Sequence, residues 1–157
     1  MSTTTLTRIL VPTDFSDTSM VALKYATALS DVFGACLHLL HVVDNAIEMR
    51  AAGDLAMAPG QDIVGAARAR AADALAHLLT RPEREKYAAT LSTETGAPFA
   101  TIVQYARREQ IDLIVMGTHG RGPMAHLLIG SVAENVVRKA PCPVLTVPLR
   151  GHDFVKL

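Results

Sequence analysis

Apolar residues along this chain fall into short continuous runs separated by stretches where they recur every three or four positions, the pattern of strands alternating with helices. Ile9 to Val11, Cys36 to Val43 and Leu113 to Met116 read as strands. The first and third are nearly unbroken, as in parallel sheets covered on both faces. Val144 to Val147 is a fourth. Tyr87 to Thr93 is less apolar, but its place between two helical stretches predicts the remaining strand, near a sheet edge.

Four helices are predicted between these runs. Ala22, Tyr25, Ala26, Leu29, Val32 and Phe33 recur at helical spacing, with Ser16 as N-cap and Gly34 as the stop. From about Asp62 to Leu79, residues Ile63, Ala67, Ala71, Ala74, Leu75 and Leu78 face inward, and Pro82 follows the end. A third helix starts near Pro98, shows Phe99, Ile102, Val103 and Ala106 as one stripe, and ends before Ile111. The last opens at Ser131 and turns Val132, Val136, Val137 and Ala140 to one side before Pro141 and Pro143 break it. Asn45 to Gln61 lacks firm periodicity and reads as a long, mobile surface connection. The alternation predicts an α/β fold: an open five-stranded parallel sheet with helices on both faces, where ligands gather at the point at which strand order reverses.

Composition narrows the classes of partner. With 157 residues, half of them apolar, the chain can enclose one sizeable core, so one domain spanning 1–157 is expected. Fifteen basic and fifteen acidic side chains cancel without forming a basic stripe, which argues against a nucleic-acid partner. Met1 to Arg8 lacks the apolar stretch of a signal peptide and no run approaches a membrane span, so a soluble, cytoplasmic protein with no membrane partner is expected. Cys36 and Cys142 match neither a zinc site nor a disulfide framework and read as reduced structural thiols.

The chemistry concentrates after Met116, where the chain reads M-G-T-H-G-R-G-P-M-A-H-L-L-I-G-S-V-A-E-N-V and spaces its glycines as G-x2-G-x9-G-S. Gly117 and Gly120 remove side chains where a ligand would approach the backbone, while Gly130 and Ser131 place amide donors at a helix start. Those first-turn N–H groups lack intrahelical partners and lie at the positive end of the helix dipole, a match for phosphate oxygens. A purely structural reading stands beside this one: Ser131 and Glu134 have the spacing of a capping box. Asp14 and Asp17 could likewise cap the first helix. His38 and His41 lie three apart on a strand, on opposite faces, which makes them structural rather than a metal pair. His119 lies within the glycine loop, where packing and phosphate contact are both open, and no metal set is visible. Cys142 has no cation beside it in the sequence that would lower its pKa.

These residues resemble the universal stress protein family, whose ATP-binding members carry the G-x2-G-x9-G-S/T signature after the fourth strand. The resemblance runs from I-L-V-P-T-D-F-S at Ile9 to Ser16, through H-V-V-D at His41 to Asp44, to the ending P-C-P-V-L-T-V. It implies a Rossmann-like sheet of order 3-2-1-4-5 that binds ATP, or AMP or another adenine nucleotide, with Mg as phosphate counter-ion. Carried over by position, Asp14 meets the ribose, Pro12 and Thr13 lie beside the adenine, and Val42 reads adenine through its backbone. Met116, Gly117, His119, Gly120, Gly130, Ser131 and Val132 then line ribose and phosphates, with Arg121 as an added phosphate contact. The chain departs from the pattern at Ala133, where some members place a threonine, and at Pro123, which stiffens the loop. The resemblance also implies a homodimer through Val144 to Val147, an apolar edge that needs covering.

The resulting expectation is a nucleotide-binding stress-response or signalling module, with no catalytic acid/base pair near the glycine loop. A slow Mg-dependent ATP hydrolase or phosphotransferase using His119, Ser131 or Arg121 is the alternative, although no Walker lysine is present. A nucleotide-free dimeric interaction protein is the third reading.

Overall fold

Arg8–Pro12 forms the central strand, β1, because alternate side chains of the run I-L-V find apolar cover on both faces: Ile9 and Val11 join one buried cluster and Leu10 the other. The computed structural model describes residues 5–54, 62–118 and 129–149. After β1 come α1 (Asp17–Phe33), β2 (Cys36–Val43), α2 (Asn45–Asp54), α3 (Ile63–Ala76), α4 (Arg81–Lys86), β3 (Thr90–Thr95), α5 (Pro98–Arg108), β4 (Leu113–Gly117), α6 (Ser131–Lys139) and β5 (Val144–Val147). The five strands are parallel and lie in the order β3-β2-β1-β4-β5, as expected. Order reverses between β1 and β4, whose carboxyl ends therefore flank a crevice.

Two cores sandwich the sheet. On one face Ala22, Leu23, Tyr25 and Ala26 of α1, with Leu75 of α3 and Leu79 just beyond it, pack on Ile9, Val11, Leu37, Leu39 and Val115. On the other, Ile102, Tyr105 and Ala106 of α5 and Ala133 and Val136 of α6 cover Leu10, Leu40, Ile114 and Met116. At roughly 25 cal/mol per Å² of apolar surface, burying each of these leucines and isoleucines is worth about 1.5–3 kcal/mol. No helix among the described residues is long and apolar enough to cross a membrane.

Several expectations need correcting. Asn45–Asp54 is a helix, where a long connection was expected over Asn45 to Gln61. Asp44 starts it: its Oδ1 accepts the Ala46 amide at 2.9 Å, and its carbonyl accepts from Ile47 and Glu48. Periodicity missed α2 because its side chains are mostly exposed, with Glu48 reaching Arg70 of α3 at 3.9 Å. Residues 55–61 of that connection lie outside the described residues.

The short α4 was not foreseen either. Thr80 and Glu83 form a true capping box around it, and Pro82 belongs to its first turn. Tyr87 ends α4, which moves the following strand from the expected Tyr87 to Thr93 to Thr90–Thr95, at the sheet edge as anticipated. Val32 and Phe33, part of the apolar helical spacing of α1, lie in its last turn at 76% and 54% exposure, and Val137 of α6 is 48% exposed. Helical spacing did not tell these positions from buried neighbours in the same turns, Ser30 and Val136.

Candidate functional site

Two helix starts meet the carboxyl edge of the sheet at the switch point, and local chemistry treats them differently. At the end of β1 the chain makes a tight turn through Thr13, Asp14 and Phe15 before α1. Ser16 is the N-cap, its hydroxyl accepting the Ser19 amide, as expected. Asp14 accepts both the amide and the hydroxyl of Ser16 through Oδ1, so part of its carboxylate is engaged in the turn. Thr13 is buried, its amide donating to the Leu40 carbonyl at 2.9 Å and its Oγ1 accepting the Phe15 amide at 3.0 Å.

At the end of β4 the arrangement is open. Thr118 donates to the Val147 carbonyl of β5, and its own carbonyl receives the amide of Gly130, which draws the start of α6 against the strand end. Gly130 is the N-cap, and among the described residues no side chain makes a cap hydrogen bond. The first helical turn closes with Glu134 N–H donating to the Gly130 carbonyl at 2.9 Å, leaving Ser131, Val132 and Ala133 amides without intrahelical partners. The expected capping box is absent: Ser131 is the first helical residue rather than the cap, and Glu134 pairs with Arg138 at 2.8 Å. One further correction concerns Gly130, whose amide was expected to be a free donor but is spent on Thr118.

The expected site residues mostly converge. Pro12, Thr13 and Asp14 end β1, Val42 lies two residues past the last β1–β2 pair, Met116 and Gly117 end β4, and Gly130, Ser131 and Val132 open α6. All belong to one edge of the sheet. Within this set the side chains divide. Met116 is buried in the core under α5 and α6, which makes it a floor rather than a contact. A Cβ on Gly117 would lie 2.6 Å from Thr18 Cγ2 and 3.1 Å from the Thr18 carbonyl carbon. Its missing side chain is thus demanded by the passage of α1, a reason distinct from the ligand approach expected of it. His119, Gly120, Arg121 and Pro123 lie outside the described residues.

His38 and His41 do face opposite ways. His38 Nδ1 meets the Tyr105 hydroxyl at 2.9 Å in the α5 core, where burial lowers the imidazole pKa and raises that of the phenol. His41 turns to the switch-point edge, its Nδ1 2.8 Å from the Thr13 carbonyl and its ring stacked on Phe15 at 4.6 Å. Sequence reasoning placed no site role on His41, Phe15 or Ser19; the first two lie within the H-V-V-D and I-L-V-P-T-D-F-S segments of the resemblance, and no motif marked Ser19. Cys36 and Cys142 are free, and burial raises the Cys142 thiol above its usual range. The described residues contain no group of His, Cys, Asp and Glu able to hold a metal.

Residues 5–148 match the profile described as the universal stress protein family. The chain belongs to the universal stress protein family. Universal stress protein MJ0531 of Methanocaldococcus jannaschii is 33% identical over 150 residues, covering 89% of this chain and 81% of that protein. The solved structure of protein MJ0577 superposes with a TM-score of 0.76 at 30% identity, covering 94% of this chain and 99% of the other. A universal stress protein solved in complex with cAMP shares the fold at a TM-score of 0.60 and 24% identity, over 94% of this chain and 100% of its own. Membership agrees with the observed strand order.

Proposed function

We propose that this universal stress protein is a cytosolic adenine-nucleotide-binding module, with ATP as the ligand, acting in stress response or signalling. One observation carries the reading: the start of α6 at the switch point has a glycine cap, no side-chain cap hydrogen bond among the described residues, and three first-turn amides without intrahelical partners. Such a terminus carries about half a positive charge and suits a phosphate group. Ser131 and Val132 would hold phosphates there, assisted by His119, Gly120 and Arg121. Asp14 and Val42 would take the ribose and adenine from the far side of the crevice, with Pro12 and Thr13 behind them and Gly117 and Gly130 shaping the backbone. Mg²⁺ would accompany the phosphates and neutralise their charge. The cAMP held by a protein of the same fold supports an adenine ligand.

Binding is preferred over hydrolysis on geometry. Asp14 Oδ1 accepts from Ser16 and His41 Nδ1 donates to the Thr13 carbonyl, so both side chains are engaged in holding the β1–α1 turn. Calorimetric titration of the purified protein with Mg-ATP and AMP is expected to show saturable binding, and Gly130→Asp to weaken it at least about a hundredfold, roughly 2.7 kcal/mol. Unaltered affinity in that variant refutes the phosphate assignment. Labelled ATP should be recovered intact after many dissociation lifetimes. Recovery as ADP would select the hydrolase.

The same reading includes a homodimer through β5. Among the described residues that strand closes the sheet with one side unpaired, and Val144, Leu145 and Thr146 are only partly covered. Light scattering at micromolar concentration should give twice the chain mass.

A further inference from the structure

Thr13, expected to lie against the adenine, has its polar groups turned inward, and the pattern of those bonds has a direction. The Ser19 hydroxyl has one proton, which it gives to the Ser16 carbonyl at 2.8 Å. In its 3.0 Å contact with Thr13 it must therefore accept, so Thr13 Oγ1 donates to Ser19 while receiving the Phe15 amide. The Thr13 carbonyl, which can only accept, fixes the proton of His41 on Nδ1.

This network holds a turn that would not hold itself. Phe15 has a φ of 62°, a left-handed backbone that a side chain of its size rarely adopts. Its ring lies on the His41 ring at 4.6 Å with planes 28° apart, and Phe15 also packs against the cluster of Val43, Ala67 and Ala71. His41 therefore grips the turn at two points, Thr13 by a hydrogen bond and Phe15 by stacking. Asp14 is the residue between them.

We infer that His41 is a positioning residue for the crevice: it holds the left-handed turn at Phe15 and thereby presents Asp14 to the nucleotide, without itself touching the ligand. This rests on the nucleotide reading above. Strained backbone persists where its surroundings over-determine it, and here the second strand supplies that constraint to a site residue on the first.

The test compares two single substitutions by calorimetric titration with Mg-ATP, alongside thermal melting. His41→Phe keeps a flat ring for Phe15 but removes the donor, and is expected to raise Kd roughly tenfold, the effect of one lost hydrogen bond. His41→Asn restores a donor near the Nδ1 position while giving up the stack on Phe15, and is expected to raise Kd only about threefold. Should the Phe variant fail to fold, His41→Gln, whose donor reaches the Nε2 position instead, takes its place with the same tenfold expectation. Imidazole ¹⁵N spectra of the wild type should show the proton on Nδ1. Equal affinity in wild type and His41→Phe overturns the proposal, as does a fall in affinity that follows melting temperature equally in all variants, or a proton found on Nε2 alone. If wild type binds no nucleotide, the functional reading fails and this inference with it. If wild type binds and only the variant comparison fails, the functional reading stands.

Discussion

The starts of α1 and α6 stand at the same sheet edge, follow neighbouring strands, and are built in opposite ways. The α1 start closes on itself: Ser16 caps Ser19, Asp14 holds Ser16, and Thr13 and Ser19 complete a directed chain of hydroxyls. The α6 start closes through the backbone bond between Gly130 and Thr118, and among the described residues no side chain caps it. A hydroxyl or carboxylate at an N-cap answers the orphan amides internally and makes the terminus part of the scaffold. Glycine leaves them to be answered from outside. The contrast separates the rigid wall of the crevice from the part suited to receive an anion.

The comparison breaks most severely if α6 is closed artificially. Gly130→Asp supplies the missing side-chain cap, so melting temperature should hold or rise slightly, by a few tenths of a kcal/mol in stability, while the nucleotide is lost. A variant that loses both stability and ligand would mean that the glycine serves the fold and not the site. Opening α1 is the reverse manipulation. Thr13→Val strips a hydroxyl that serves Phe15 and Ser19, and urea unfolding should show a loss of about 1–3 kcal/mol from the stranded polar groups.

Ser16→Ala removes only the cap itself and should cost about 1 kcal/mol in the same assay. Ser131→Ala gives the smallest effect. As a first-turn residue whose side chain does not cap, Ser131 should change apo stability by less than about 0.5 kcal/mol. A cost near 1 kcal/mol would show that the capping-box reading was right and that α6 is closed like α1.

Much of this architecture was legible in the sequence because its signals are local and repetitive. The strands at Ile9 to Val11, Cys36 to Val43, Leu113 to Met116 and Val144 to Val147 were found to within a residue, since two-sided burial demands unbroken apolar runs. Ser16 and Gly34 were correctly placed as the ends of α1. The helices α2 and α4 escaped because each is held by its own cap and mostly exposed side chains, so no apolar stripe announces it. Of the candidate site, the expected residues of the three strands and of the α6 start do share one edge.

The roles within that edge were another matter. Ser131 and Glu134 have the same spacing as Thr80 and Glu83, yet only the second pair forms a capping box. A pattern of i and i+3 cannot say which residue will be the cap. At α6 that choice accompanies the bond between Gly130 and Thr118, residues separated by the glycine loop. Gly117 likewise read as room for a ligand until α1 was seen to pass within contact distance. By itself the sequence determined the alternation of strands and helices, the two-faced core and the glycines at the switch point, because periodicity and backbone freedom belong to single segments. Only the tertiary structure decided which helix start stays open and which residue, His41, holds the other closed, because both depend on polar groups from distant segments meeting at the same few ångströms.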